Sequence, residues 1–247
     1  MSVNDNSEQE TVTKESEWRM IMEKIEKDEK EKKASETVIR VEHACKSFKK
    51  QQVLKDVSIS CRQGEICGIV GHNGSGKTVL FKCICGLLYL DSGSIYIRDK
   101  KMHKEIDMLN EAGVIIEEPE FLGNTSGYKN LDYLYQLRNK KNKEHLYYIL
   151  EKVGLDPKSK KKVRNYSMGM RQRLAIAQAI MEDQNILILD EPMNGLDKSG
   201  VADMRKLFLE LKEIGKTIVL ASHNKEDIDV LCDSVYEMEI GVLKQIR

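Results

Sequence analysis

Residues 66–78 read "ICGIVGHNGSGKT". The run from Ile66 to Val70 predicts a buried strand, and apolar residues at helical spacing follow the glycines, so a helix is expected over 78–89. Between them lies a loop from Gly71 to Thr78 that alternates glycine with short polar residues. Gly71, Gly74 and Gly76 let the backbone N–H groups of His72, Asn73, Ser75 and their neighbours turn inward around an anion, which a side chain at those points would obstruct. Lys77 can reach the outer oxygens of a nucleotide's phosphates, and the Thr78 hydroxyl can ligate Mg²⁺. Strand, phosphate loop and helix in this order predict an α/β P-loop NTPase that binds ATP or GTP.

A second element fits that prediction. "ILILDE" (186–191) is a fully apolar run that ends in two carboxylates. Asp190 at the strand end can reach Mg²⁺ directly or through water, while Glu191, one residue on, points elsewhere and can polarise a water aimed at the γ-phosphate. "NKED" (224–227) imitates the guanine reader of GTPases. That reading also needs a D-x-x-G turn, and Asp190 is followed by Glu-Pro-Met, so "NKED" is expected to begin a helix.

Outward from these motifs the chain alternates short strands with helices. "TVIRVEHA", "VLKDVSISC" and "SIYIRD" show period-two patterning and predict a small antiparallel sheet over about 37–62 and 94–99. Helical periodicity runs through 128–153, and "GLDP" (154–157) is expected to stop the second helix there at Gly154 and Pro157. A helix after Ser167, a helix near 200–214 and the strand "TIVLAS" (217–222) complete a pattern that implies a parallel sheet covered on both faces.

Composition sets outer limits. Among 247 residues, 40 basic side chains balance 40 acidic ones, so no net field steers the chain to nucleic acid. The lysines at 140–143 and 158–164 lack interleaved aromatics and read as solvated faces. The longest apolar stretch, residues 79–90, is too short to span a bilayer, and no secretory signal opens the chain. Six cysteines without C-x-x-C spacing read as buried or free thiols of a reducing compartment. Residues 1–36 form a charged N-terminal extension with a narrow apolar stripe at Trp18, Ile21, Met22 and Ile25. It reads as a tail, or as a helix that docks on a partner or on lipid headgroups.

"YSMGM" (166–170) raises a further question, because Ser167 looks like a helix N-cap beside a close-approach glycine, an arrangement that can hold a second anion. Together these stretches resemble the nucleotide-binding domain of ABC transporters from about Thr37 to the C-terminus. "GHNGSGKT" with Val79 looks like that family's Walker A loop, and "ILILDEP" like its Walker B strand with a catalytic glutamate, Glu191. Phe48 stands where the family stacks an aromatic on adenine. Asp197 in "NGLD" matches the D-loop at a dimer seam, and His223 in "LASHN" matches the switch histidine that senses the γ-phosphate. "YSMGM" stands in the place of the L-S-G-G-Q signature. In the family, two copies join head to tail, and each signature caps the γ-phosphate held by the other's Walker A loop. Ser167 and Gly169 keep the pattern; Tyr166, Met168 and Met170 depart from it.

Glu117 in "GVIIEEPEF" occupies the position of the family's Q-loop glutamine, which contacts Mg²⁺ and couples to the membrane partner. It reads as a metal or water ligand, or as loop decoration. Together with "MGMRQRLAIAQAIM" and "DEPMNGLD", it makes the chain similar to the ATPases of bacitracin-resistance and lantibiotic self-protection exporters. The resemblance implies a RecA-like core over 37–247 with a helical subdomain at about 118–168. It implies ATP and Mg²⁺ as cofactors, Lys77, Glu191 and His223 as catalytic groups, and a permease on another chain. The implied location is the inner face of the cell membrane. A soluble ABC-type ATPase working without a permease is the alternative.

Overall fold

The computed structural model describes residues 36–118 and 120–247; the reading of the N-terminal extension falls outside the described residues, apart from Glu36 at its end. In chain order the elements are β1 (Thr37–Phe48), β2 (Gln51–Arg62), β3 (Ile66–Val70), α1 (Lys77–Ile84), β4 (Ser92–Ile97), β5 (Lys100–Lys101) and β6 (Ala112–Ile115). Then follow α2 (Gly127–Tyr135), α3 (Lys143–Lys152), a 3₁₀ turn (Val163–Asn165), α4 (Met168–Ile180), β7 (Ile186–Asp190) and α5 (Lys198–Glu213). The last elements are β8 (Thr217–Ala221), α6 (Lys225–Leu231), β9 (Ser234–Glu239) and β10 (Val242–Gln245).

Two sheets result. The antiparallel one has the order β2-β1-β4-β5. The second has the order β10-β9-β3-β8-β7-β6, with every pair parallel except β9–β10. Successive side chains on a strand face opposite ways, so a strand covered on both sides feeds two cores. Leu187 and Leu189 of β7, with Ile218 and Leu220 of β8, enter one core, which also takes Leu174 of α4 and Phe208 of α5. Their neighbours Ile186, Ile188, Val219 and Ala221 enter the other, which includes Phe81 of α1 and Val41 and Ile59 of the antiparallel sheet. The parallel sheet is therefore sandwiched between helices and the smaller sheet, as the apolar strands implied.

The structure departs from the reading at several points. First, α1 ends at Ile84 instead of continuing to 89. Gly86 has φ +77, its N–H bonds to the Cys83 carbonyl at 3.0 Å, and the Leu87 N–H bonds to the Lys82 carbonyl at 2.8 Å. This paired closure needs the left-handed conformation that glycine supplies cheaply, and it overrides the apolar spacing that follows. Second, β6 was not expected: its four residues "AGVI" give too short a pattern, and its place is set by pairing with β7. Third, β9 and β10 also went unread; β9 lies beside β3 through Cys67–Ser234 to Val70–Glu237.

No cysteine is in a disulfide; Cys45 is partly exposed and the other five are buried. Burial pushes the Cys83 thiol up to about 11 and those of Cys85 and Cys232 to about 12. A thiol reagent at pH 8 should therefore label native protein at Cys45 alone. Because the unfolded thiols, near 9.0, ionise before the folded ones, the folded state should lose stability as pH rises from about 9 towards 12. Urea midpoints across that range check the sign.

Candidate functional site

The phosphate loop joins the end of β3 to the start of α1 at the carboxyl edge of the parallel sheet, where ligands of such sheets bind. Gly76 caps α1 with φ +119 and no side-chain bond, leaving the first-turn N–H groups open to a ligand. A Cβ there would lie 2.9 Å from the Val53 carbonyl, so the helix entry and the approach of β2 both require glycine. Lys77 is buried, and its ammonium donates to the carbonyls of Gly71 at 2.6 Å and His72 at 3.1 Å. The Ser75 hydroxyl is buried in the loop without a hydrogen-bond partner.

Two strands away, β7 delivers its carboxylates to the same edge. The Thr78 hydroxyl donates to Asp190 Oδ2 at 2.6 Å, which brings together two hard oxygen groups suited to Mg²⁺. Glu191 has φ +50, a left-handed conformation costing a non-glycine residue about 1–3 kcal/mol. The two carboxylates take different partners, Thr78 for Asp190 and His223 for Glu191. Glu191 Oε2 accepts from His223 Nδ1 at 2.8 Å and from the His223 N–H at 3.4 Å, while Oε1 is buried with no partner. The Nδ1–carboxylate pairing requires a proton on Nδ1. An orphaned buried carboxylate oxygen is expensive, and here it is placed to accept from a water or a substrate.

A cleft of about 580 Å³ unites Asn73, Gly74, Gly76, Lys77, Thr78, Val79, Glu117, Asp190 and Glu191. Val53, Met168, Gln172 and Asn194 line it too, and sequence reasoning had named none of these four as cleft residues. Gln172 was in principle readable: one turn along α4 from Met168, its amide donates to the Pro192 carbonyl at 2.8 Å and braces the loop after Glu191. On the other side of the phosphate loop, Gly71, His72, Asn73 and His223 line a second cleft with Glu237 and Glu239. Phe48 lies outside both. It is 44% exposed, with the Lys46 ammonium 5.6 Å from its ring centre.

Ser167, Gly169 and Asp197 line neither cleft. Ser167 caps α4, its hydroxyl accepting from the Met170 N–H at 3.2 Å. Asp197 caps α5 by accepting from the Gly200 N–H at 2.9 Å, and that bond, with help from Ser199, holds its carboxyl below the usual range. The two caps are linked: a Cβ on Gly169 would lie 3.1 Å from the Gly195 carbonyl, and one on Gly195 would lie 2.6 Å from Met168 Cγ. Ser167→Ala should cost about 1 kcal/mol of stability through the lost cap, readable in urea unfolding.

Glu117 adopts φ +63, and its carboxylate accepts from the Lys82 ammonium of α1 at 2.6 Å. The extra negative charge beside the phosphate site is therefore balanced by a lysine one helical turn beyond Thr78. Because that pair is partly exposed, Glu117→Gln is expected to change ATP affinity by less than about threefold. Equilibrium binding to the purified chain checks this.

Comparison with known sequences decides the family: the model described as ABC transporter matches residues 54–194. The chain belongs to the ABC transporter family. It is 40% identical over 207 residues to the uncharacterized ABC transporter ATP-binding protein YybJ of Bacillus subtilis (strain 168), covering 84% of this chain and 95% of that one. It is 37% identical over 210 residues to the bacitracin transport ATP-binding protein BcrA of Enterococcus faecalis, covering 84% and 68%. Among solved structures, cbiO1 from Clostridium perfringens, part of the ABC transporter complex cbiONQ, superposes with a TM-score of 0.73 at 29% identity, covering 85% and 88%. This ABC protein is the ATP-binding, ATP-hydrolysing subunit of a transporter, built on a P-loop NTPase fold. Among the described residues, no helix is long and apolar enough to cross a membrane.

Proposed function

We propose that this ABC subunit powers a permease carried on another chain, and that the pair exports an antimicrobial peptide or a similar compound from the inner face of the cell membrane. The observation that carries the engine is Glu191: strained, paired on one oxygen with His223, and left with its other oxygen buried and unpartnered beside the phosphate loop. The likeness to the bacitracin transport protein BcrA supports the choice of cargo.

In this reading, the open N–H groups of the loop and the Lys77 ammonium hold the phosphates, and Phe48 stacks on adenine. Thr78 and Asp190 would hold Mg²⁺, which would neutralise phosphate charge, and Glu117, once released from Lys82, is a third candidate ligand. Glu191 accepts the proton of the attacking water, and His223 holds Glu191 and faces the γ-phosphate. Ser167 and Gly169, at the N-terminus of α4, cap the nucleotide of a second copy joined head to tail, with Asp197 at the seam. Helices α2 and α3 form the docking face towards the permease.

The cargo is tested in cells exposed to bacitracin and to lantibiotics. Loss of protection in cells carrying Lys77→Met supports export. Unchanged susceptibility in those cells contradicts it.

A further inference from the structure

Arg205 stands in the middle of α5, two turns beyond the Asp197 cap, and its side chain is only 15% exposed. Its Nε and one terminal nitrogen donate to Asp227 Oδ1 at 2.9 and 2.5 Å, and its other terminal nitrogen donates to Glu226 Oε1 at 2.8 Å. Asp227 is 2% exposed, a depth at which a carboxylate persists only when paired and hydrogen-bonded. Its second oxygen accepts from the buried Ser222 hydroxyl at 3.4 Å. The same hydroxyl oxygen accepts from the Asn224 N–H at 3.1 Å, so Ser222 holds the backbone on the far side of His223. His223 itself is exposed, with a side chain 62% accessible, and its Nδ1 and backbone N–H both bond to Glu191 Oε2. Ser222, Asn224 and Asp227 tie down the backbone that carries it.

We propose that Arg205 is a positioning residue for His223. Through Asp227 and Ser222 it fastens the backbone that carries the histidine to the helix that begins at Asp197. Movement of that helix end is thereby passed to the contact between His223 and Glu191. A guanidinium suits the task because its rigid fork binds both carboxylates at once, whereas a lysine ammonium offers charge without fixed direction. The inference rests on the reading of His223 as a group needed for hydrolysis.

The test is a double-mutant cycle on the full chain, using steady-state ATP hydrolysis and equilibrium ATP binding. Arg205→Lys keeps a cation beside buried Asp227. It should lower kcat about 10- to 100-fold, as expected for a displaced catalytic contact, with ATP affinity unchanged. In a His223→Ala background the same substitution should add no further loss, because nothing remains to be positioned. A merely structural role would lower both backgrounds alike. Should Arg205→Lys not fold, Arg205→Met combined with Asp227→Asn removes both charges together and carries the same expectation. An unchanged kcat, or an additive loss in the His223→Ala background, overturns the proposal. If His223→Ala alone hydrolyses ATP at the parental rate, the role of His223 fails, and Arg205 loses its function with it.

Discussion

Replacing Glu191 by glutamine is expected to lower ATP turnover by about 10²- to 10⁴-fold, the contribution of a positioned general base. ATP affinity should stay within a few-fold of the parent. The amide keeps the shape of the side chain and one oxygen for His223, so the geometry that Glu191's left-handed backbone imposes is retained. What disappears is basicity at the buried, unpartnered oxygen. Single-turnover hydrolysis with saturating ATP separates the two effects. A variant that turns over ATP normally would show that the strained conformation serves some other purpose.

Lys77→Met should act on the opposite side of the same chemistry. The ammonium is buried and donates to two loop carbonyls, so its removal takes away the charge facing the phosphates and also loosens the loop. Two charge-assisted hydrogen bonds to phosphate oxygens are together worth roughly 3 kcal/mol net, or about 100-fold in ATP affinity. Methionine fills the same volume without charge, so the fold should persist and the loss should appear in binding itself. Calorimetric titration with ATP reads it directly. An affinity within a factor of a few would move the phosphate contacts onto the loop's N–H groups alone.

Both substituted residues were visible before the fold was known. Lys77, Thr78, Asp190 and Glu191 were legible because each lies at a fixed offset from an apolar strand, and the strand brings its end to one edge of the sheet. The two faces of the parallel sheet were legible for the same reason: alternate residues of β7 and β8 had to enter separate cores. The helix at "NKED" was also readable, since Asn224 caps α6 by accepting from the Glu226 N–H.

Other parts depend on contacts between residues far apart in the chain, and local pattern carries no trace of them. Nothing near Glu117 reveals that Lys82, on a helix thirty-five residues earlier, balances its charge. Gly195 shows no sign in sequence of packing beneath Met168, so the link between the two helix caps emerged only from the fold. Arg205 reads as one more charge on a surface helix until Asp227 is found buried against it. Edge strand β6 is defined by its partner rather than by its own four residues. The end of α1 shows the converse: Gly86 was visible, and its closing hydrogen bonds outweighed the apolar run beyond it.

Neither Ser167 nor Gly169 lines the cleft that Lys77 and Glu191 share, although Met168 between them does, so the account rests on a second copy bringing them to a nucleotide. The molar mass of Glu191→Gln protein, measured by light scattering with and without Mg-ATP, tests this most directly. The account predicts a monomer that becomes a dimer when nucleotide is added. Protein that is saturated with ATP and remains monomeric would contradict it.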